Sequence, residues 1–235
     1  MKTALRFSLI LAALAALAAT SAHAQVSNGT FTSSLTGWTA TGDASVRTSA
    51  AFLTTASLTD DDDNQGVGFF NFSGSEPTLA ADLETALGLT ADALHPDAGN
   101  AVFAFEGSAI TQSVTLAPGE ALTFSWEFLS ETSGRADYAL LVINGVPVDF
   151  STAFTLVGTT TFGYDFTTGV QTYTSAPSVA GGTVLIGFGV VDVNDFVSTS
   201  ALFIDNVSVI PEPASFAALA GLAGLGLAAS RRRRA

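Results

Sequence analysis

The amino-acid sequence predicts an all-β protein whose main body is a β-sandwich with one short helical insertion. Three observations predict this class. Apolar and polar residues alternate over several stretches, which is the pattern of half-buried strands. Turn dipeptides such as Pro118-Gly119 and Asn144-Gly145 separate those stretches. The 235 residues include 22 glycines and 18 phenylalanines but only 12% charged residues, which favours turns and apolar strands over disorder.

The clearest predicted strand covers residues 121–128 and follows the Pro118-Gly119 turn. One face of this strand carries only large apolar side chains, namely Leu122, Phe124, Trp126 and Phe128. Further strands are predicted at 110–116, 138–143, 146–150, 171–175, 183–191 and 201–210. In the segment 183–191, Gly187 and Gly189 leave the face opposite the apolar one thin. Several short strands separated by turn residues predict a sandwich or jelly roll.

Residues 79–94 break the alternating pattern, because leucines recur there at near-helical spacing. We expect Thr78 to be the N-cap, with Asp82 and Glu84 near the positive end of the helix. Gly88 is expected to divide the segment into two short helices. The alternative interpretation is a buried loop that carries leucines.

The first 24 residues predict a secretory signal peptide. Lys2 and Arg6 precede an apolar run at 7–19, and the triplet Ala22-His23-Ala24 follows. Small residues at Ala22 and Ala24 are typical of a signal-peptidase site, so cleavage is expected before Gln25. The alternative, a transmembrane anchor, needs about 20 apolar residues, more than this run has.

Residues 211–235 form a second predicted targeting signal. The motif Pro211-Glu212-Pro213 precedes an apolar stretch at 216–229, after which comes a basic cluster of Arg231, Arg232, Arg233 and Arg234. A short apolar segment closed by arginines can be held in a bilayer with the arginines on the cytoplasmic side. Alanine and glycine dominate the segment, so a transient membrane anchor with an adjacent processing site is expected.

This C-terminal arrangement resembles the PEP-CTERM sorting signal of Gram-negative bacteria, because the motif, the hydrophobic helix and the arginine cluster occur in that order. The resemblance covers about the last 25 residues. It implies processing by an exosortase, a membrane cysteine transpeptidase, at or near the motif. It also implies an inner-membrane intermediate, then a place at the cell surface or in an extracellular exopolysaccharide or biofilm matrix.

The body between the two targeting signals, residues 25–210, is strongly acidic. Twenty of the 21 acidic residues but only Arg47 and Arg135 among the basic ones lie there, so its net charge is −18. Such a body repels nucleic acid and anionic lipid and attracts divalent cations. The chain has no cysteine, which excludes disulfides, thiolate zinc sites and thiol nucleophiles.

The body opens with Asn28-Gly29-Thr30-Phe31 and Gly37-Trp38, and it closes with Asp205-Asn206-Val207. This order is similar to galactose-binding-like jelly rolls, which include many carbohydrate-binding modules. The resemblance implies a structural Ca²⁺ between the first and last strands, to which Asp205 would contribute. Thr32 stands where an acidic residue commonly follows the opening Phe, which departs from that pattern.

Calcium therefore has two candidate sites and no certain one. The acidic run at 60–63, with Asp60 and Asp62, supplies the oxygen ligands that Ca²⁺ prefers. It does not fit an EF-hand, because Gln65 stands where Gly is required, and a solvated loop is the alternative. Asp205 lies among apolar neighbours and needs either a metal or hydrogen-bond donors.

Catalytic signals are few. His95 is the only histidine of the body, and neither G-x-S-x-G nor H-E-x-x-H occurs. A glycosidase-type carboxylate pair stays open, because a sequence does not give the separation of two carboxylates. Trp38 is a candidate for stacking on a sugar ring if it is exposed, and the alternative is that it packs under the sheet.

The sequence thus predicts an exported, non-catalytic protein with a structural or adhesive role at the cell surface or in a polymer matrix. The alternative is a carbohydrate-binding module that takes exopolysaccharide, and a third hypothesis is a secreted glycoside hydrolase. Signal peptidase and exosortase are the expected processing partners, and the membrane is contacted through the C-terminal helix before processing.

Overall fold

The structure is a computed structural model that describes residues 25–59, 65–96, 102–134, 136–178, 180–194 and 198–211. Two antiparallel sheets face each other across a shared core, so the predicted jelly-roll β-sandwich is confirmed. Within the described ranges, no helix has the length and apolar character needed to cross a bilayer.

The first sheet has the strand order β1-β5-β12-β7-β8, and β4 pairs with the free part of β5. Its strands are β1 (Thr39–Thr41), β4 (Thr78–Leu79), β5 (Ala104–Leu116), β7 (Tyr138–Ile143), β8 (Val146–Asp149) and β12 (Gly182–Val193). The two long strands β5 and β12 pair from Leu116 opposite Gly182 to Ala104 opposite Val193.

The second sheet has the order β2-β3-β13-β6-β10-β9, and β11 also pairs with β6. Its strands are β2 (Asp43–Arg47), β3 (Ala50–Thr54), β6 (Ala121–Ser130), β9 (Val157–Gly158), β10 (Phe166–Thr167), β11 (Gln171–Thr174) and β13 (Ser200–Ile210). β6 and β13, at the centre, run the length of the sandwich.

The core between the sheets is built from the alternation seen in the sequence. Leu122, Phe124, Trp126 and Phe128 are all buried and face residues of β12 such as Phe188. The rings of Phe124 and Phe188 meet edge to face with their centroids 4.7 Å apart. Period-two burial therefore places one face of each central strand in this core.

The outer face of the first sheet is covered by the helical insertion, helix α1 (Ala80–Leu87). Leu83 and Leu87 are fully buried against this sheet. The helix packs where the sequence predicted a thin face: a Cβ on Gly187 would lie 2.6 Å from Leu87 Cδ2. Glycine at that position lets the helix approach the sheet closely.

Two details of the predicted insertion are wrong. Thr78 belongs to β4 and not to the cap; Leu79 occupies the N-cap position, without a capping side chain. Gly88 ends the helix in the left-handed conformation, as a C-terminal glycine commonly does. No second helix follows in the described ranges, because residues 91–94 form a turn whose Asp92 and Leu94 amides donate to the Glu84 carboxylate.

The predicted hairpin at Asn144-Gly145 is confirmed: it joins β7 to β8, and both residues have positive φ. A second hairpin, between β2 and β3, turns at Thr48 and Ser49, also with positive φ. The sequence did not predict it, because a Thr-Ser pair carries no hairpin signal.

The outer face of the second sheet is covered by loops rich in phenylalanine. These loops and the sheet beneath form a separate cluster of Ala50, Phe52, Ala56, Phe70, Leu129, Tyr164, Ala201 and Phe203. Asp43, which is buried, fixes one of the loops because its carboxylate accepts hydrogen bonds from the amides of Phe72 and Ser73 and from the Thr54 hydroxyl. The covering is incomplete, and a groove remains beside it.

Candidate ligand-binding groove

An open groove of about 350 Å³ lies on the outer face of the second sheet. It crosses β3, β13 and β6 and reaches the residue before β11, so it spans about 14 Å at the usual spacing of neighbouring strands. Its lining consists of Thr48, Ala50, Ser125, Trp126, Glu127, Thr161, Phe162, Val170, Phe203, Asp205 and Asn206.

Strand register places the floor residues side by side. Phe203 of β13 stands opposite Glu127 of β6, and Asp205 stands opposite Ser125. Trp126 contributes to the lining but is only 2% exposed, and its side chain belongs to the core between the sheets, as does that of Phe128. The floor therefore alternates an aromatic ring with oxygen-bearing side chains.

Phe162 forms one wall of the groove. It lies in a single 3-10 turn, Thr161–Gly163, and its ring contacts Phe203 and Phe52 at centroid distances of 5.3 and 5.6 Å. Its side chain stays 36% exposed, and Val170 on the opposite side is 72% exposed. Two apolar groups thus face solvent across the groove.

The backbone at the groove is held in a conformation that side chains rarely adopt. Thr48, Phe162 and Asn206 have φ of 48°, 52° and 55°. Thr48 and Phe162 are genuine outliers there, with a cost of order 1–3 kcal/mol each, whereas asparagine is among the residues that tolerate this region. Such strain persists where the surrounding structure enforces it, and it gathers at ligand sites more than elsewhere.

The two carboxylates of the groove are fixed in place. Glu127 Oε1 accepts a hydrogen bond of 2.6 Å from the Thr167 hydroxyl. Asp205 accepts 2.6 Å and 3.0 Å bonds from the backbone and side-chain nitrogens of Asn206. The Glu127 carboxylate keeps its other oxygen without a described protein partner, so it can accept a bond from a ligand.

Asp205 was predicted to need either a metal or donors, and the structure supplies donors through Asn206. It is half-buried and lies at a register irregularity of β13. The described residues contain no group of three or more potential metal-binding side chains. Asp60 and Asp62 lie outside the described residues, so the calcium prediction stays a prediction.

The structure does not support Trp38 as an exposed stacking surface. Trp38 is only 7% exposed, its ring packs against Phe31 and Phe188, and its indole N–H donates to the Asn28 carbonyl. The position under the sheet, which was the alternative, is the one observed.

The opening and closing motifs of the body meet in space. Gly29 accepts a 2.8 Å hydrogen bond from the Val207 amide. A Cβ on Gly29 would lie 2.0 Å from the Val207 carbonyl oxygen. The Asn28 side chain donates to the carbonyls of Ser34 and Thr36 and so closes the loop of residues 28–36. Asn28, Gly29 and Val207 thus hold the two ends of the body together, whereas Asp205 and Asn206 of the closing motif line the groove.

Most residues of the two predicted targeting signals lie outside the described residues. These are Ala22, Ala24, Glu212, Pro213 and the arginines Arg231, Arg232, Arg233 and Arg234. Pro211 is the last described residue and follows β13 directly. The signal peptide, the sorting motif and the domain boundaries therefore stay predictions.

His95 has a structural role. Its Nδ1 accepts a 2.9 Å bond from the Ala104 amide, so the proton of the neutral ring is on Nε2, 3.4 Å from an Asp92 carboxylate oxygen. The ring also stacks edge to face with Phe103. These contacts tie the turn after helix α1 to β5.

A second depression, of about 360 Å³, lies beside His95 and is lined by Tyr138 and Asp149 among others. Its polar groups bond internally: the Tyr138 hydroxyl donates 2.6 Å to the Leu94 carbonyl, and Asp149 accepts from Ser151 and Thr152. Burial, and then the carboxylates of Asp149 and Glu84, raise the pKa of Tyr138. The groove on the other sheet is therefore the better ligand site.

Comparison with known proteins identifies no family. No protein-family model matches the chain, and no curated protein matches it. Among solved structures, the TmCBM61 module in complex with β-1,4-galactotriose is 13% identical, with 80% of this chain and 97% of that one covered and a TM-score of 0.36. A CBM4 structure is also 13% identical, with 80% and 99% covered and a TM-score of 0.37.

The secreted serine protease VesC from Vibrio cholerae is 14% identical and gives a TM-score of 0.27; the match covers 73% of this chain but only 35% of that protein. All three TM-scores are below 0.5. These matches are therefore too loose to carry an argument about what this chain does.

Sequence reasoning did not find the groove, except for Asp205. Phe162 and Val170 lie in connections without a motif, and Glu127 is the polar position of an ordinary alternating strand. These residues come together only because β6 pairs with β13 on one side and with β10 and β11 on the other. For these residues, the one feature of the sequence that bears on the groove is the abundance of phenylalanine.

Proposed function

We propose that this chain is an exported, non-catalytic protein that binds polysaccharide in the groove on its second sheet. The observation that carries the proposal is the combination, in one open groove, of apolar rings with fixed hydrogen-bond acceptors. A sugar ring has an apolar C–H face and a rim of hydroxyls, so it needs both kinds of contact. Ligand sites generally have this composition, largely apolar with a few well-placed polar groups.

The groove also fits a chain better than a small molecule. It is open at the surface and about 14 Å long, so a polymer can enter and leave at its ends. Phe162 is held against Phe203 and Phe52, so its ring loses little freedom on binding. A preformed platform lowers the entropic cost of binding.

A binding role is favoured over hydrolysis by the bonding of the two carboxylates. Asp205 has both oxygens engaged by Asn206, and Glu127 has one engaged by Thr167. A glycosidase needs one carboxyl to deliver a proton and the other to attack or activate water. Both groove carboxylates act here as acceptors within the protein. The structural matches give no support either way.

The groove proposal is tested by removing the exposed ring. Phe162→Ala should weaken binding of a soluble oligosaccharide by about tenfold, because the exposed third of a phenylalanine, roughly 70 Å², is worth about 1.8 kcal/mol at most when covered. Val170→Ser, at the exposed rim, should weaken it less while leaving the fold intact. The ligand is first identified on a glycan array with the whole protein.

Phe103→Ala is the matched control. Phe103 has a similar exposure of 42%, but it lies beside His95, next to the first sheet and away from the groove. It should leave the affinity unchanged. An array without any bound glycan, or equal loss from Phe162→Ala and Phe103→Ala, would refute the groove proposal.

We further propose the route by which the protein reaches its place. Signal peptidase cleaves before Gln25, residues 211–235 hold the intermediate in the inner membrane, and an exosortase processes it near Pro211-Glu212-Pro213. The body then serves as a structural or adhesive component at the cell surface or in an exopolysaccharide matrix. The order of these sequence features supports this route. Replacing Glu212 should leave an unprocessed, larger protein in the membrane, and unchanged size and location would contradict it.

Calcium is proposed as a structural ligand of the body, on the strength of the 60–63 acid run and the net charge of −18. Thermal unfolding with Ca²⁺ and with EDTA tests it. A higher melting temperature with Ca²⁺ is expected, and equal temperatures would remove the proposal.

A further inference from the structure

Among the residues that the structure describes, the groove is lined by negative charge and hydrogen-bond acceptors and by no positive side chain. Glu127 and Asp205 are its two charged residues, and hydroxyls from residues such as Ser125 and Thr48 complete its polar surface. The nearest positive group on the neighbouring strands is Arg47, whose guanidinium instead lies over the Phe72 ring, 4.4 Å from its centroid. No described residue of the lining carries a positive charge that would neutralise the two carboxylates.

The two carboxylates are close enough to act on one charged group. Asp205 pairs with Ser125, and Phe203 pairs with Glu127, so the two acids lie diagonally across β13 and β6. Diagonal neighbours in an antiparallel pair have Cβ atoms roughly 7 Å apart. Both lie on the outer face of the sheet, so a cation above β6 and β13 can approach both carboxylates.

Both carboxylates are also held in position. Thr167 donates to one oxygen of Glu127, and Thr167 is itself only 7% exposed. Asn206 donates twice to Asp205 from a backbone in the left-handed conformation. These hydrogen bonds favour one position of each carboxylate, so an anionic sugar in the groove would lie close to both charges.

The charge of the whole body acts in the same direction. Residues 25–210 carry −18 and contain no lysine, so the field around the groove is negative. Glycans with carboxylates or sulfates are repelled during approach, whereas chains with positive groups are attracted.

We infer that the groove prefers a polysaccharide with free amino groups, of the glucosamine type, and places one ammonium between Glu127 and Asp205. This inference rests on the proposed polysaccharide binding and adds the charge class of the ligand. The apolar wall of Phe162 covers a sugar face while the two acids take the ammonium. Neutral sugars bind more weakly, and uronic acids are excluded.

The experiment compares three oligosaccharides of equal length by titration calorimetry with the whole protein: glucosamine, N-acetylglucosamine and galacturonate oligomers, in mildly acidic buffer containing EDTA. The glucosamine oligomer should bind about tenfold more tightly than its acetylated counterpart, and the galacturonate should not bind. Added salt should reduce the preference, because it screens exposed charges.

Two charge-neutralising variants locate the effect. Glu127→Gln and Asp205→Asn should each reduce the ratio of the glucosamine affinity to the N-acetylglucosamine affinity about three- to fivefold, and this ratio is compared because either variant also alters an acceptor of the groove. Asp82→Asn is the control, because Asp82 is an exposed acid on helix α1, on the other sheet. It changes the net charge equally and should leave the preference intact.

Each outcome separates this inference from the proposed function. If the acetylated and free amines bind equally, or if galacturonate binds best, the charge class is wrong and the groove still binds sugar. If Asp82→Asn has the same effect as the groove variants, the preference comes from net charge alone, which overturns the ammonium site. Binding that appears only when Ca²⁺ replaces EDTA would assign the two acids to a metal. If no oligosaccharide binds, both proposals fail.

Discussion

Gly29 lies where the opening loop of the body crosses the last strand, and Gly29→Ala tests that crossing. An added Cβ would lie 2.0 Å from the Val207 carbonyl oxygen, whereas ordinary contacts of a Cβ begin near 3.4 Å. The loop or β13 must therefore move by more than 1 Å. Because Gly29 is not in the left-handed region, the effect is steric only.

The magnitude follows from the contacts that this movement breaks. The 2.8 Å hydrogen bond from the Val207 amide to the Gly29 carbonyl is lost, which costs about 1 kcal/mol. Overpacking of a tight contact adds about 1–3 kcal/mol. We therefore expect the free energy of unfolding to fall by about 2–4 kcal/mol, or the melting temperature by about 5–15 °C for a domain of this size.

Urea unfolding followed by tryptophan fluorescence measures this change, since Trp38 and Trp126 are both buried in the core beside the crossing. Gly158→Ala is the matched control, because Gly158 also avoids the left-handed region and an added Cβ there meets nothing within 4 Å. Equal stability of the two variants would refute the packing of this loop on β13.

Three further predictions concern single side chains. Because the pKa of Tyr138 is raised, the folded protein keeps this proton at pH values at which the unfolded chain loses it. The contribution of Tyr138 to the free energy of unfolding is therefore intact below about pH 10 and is lost as the pH rises further. Tyr138→Phe should thus flatten the alkaline decline measured by urea unfolding, and an unchanged decline would contradict this. Asp43→Asn should cost about 2–4 kcal/mol of unfolding free energy, because an amide nitrogen then replaces one acceptor oxygen of the buried carboxylate that holds the Phe72 and Ser73 amides. The control Asp82→Asn, on the surface, should cost less than about 0.5 kcal/mol. Equal losses of stability in the two variants would contradict the role of Asp43 in holding the loop at Phe72 and Ser73. Trp38→Phe should lower the melting temperature but leave glycan affinity unaltered, and a loss of affinity in the folded variant would return Trp38 to the binding surface.

The fold class could be predicted from the sequence because the strongest local patterns agree with the final structure. The alternation at 121–128 gives the central strand β6, and Asn144-Gly145 gives the β7–β8 hairpin. The short strands β2 and β3 were missed. β3 is buried on both faces, between the core and the phenylalanine-rich loops, so its residues do not alternate.

The candidate site could be predicted only in part. Asp205 was recognised from the closing motif, but its partner in the groove, Glu127, is 78 positions away along the chain and carries no motif of its own. Trp38 was considered for sugar stacking because a sequence gives the type of a side chain and not the side of the sheet to which it turns. The ring that does face the groove, Phe162, lies in a strained turn without a sequence signature.

The sequence by itself determined the periodicity of the strands, the presence of a helix within residues 79–94, the acidity of the body and the two predicted targeting signals at its ends. Each of these depends on residues that are near one another in the chain or on composition. Only the tertiary structure decided which side chains share the groove. Strand pairing sets that neighbourhood, and it joins residues 48, 127, 162 and 205 across four separate stretches of the chain. Register within a sheet depends on the burial of whole faces, so it becomes fixed only when both sheets have closed over their common core.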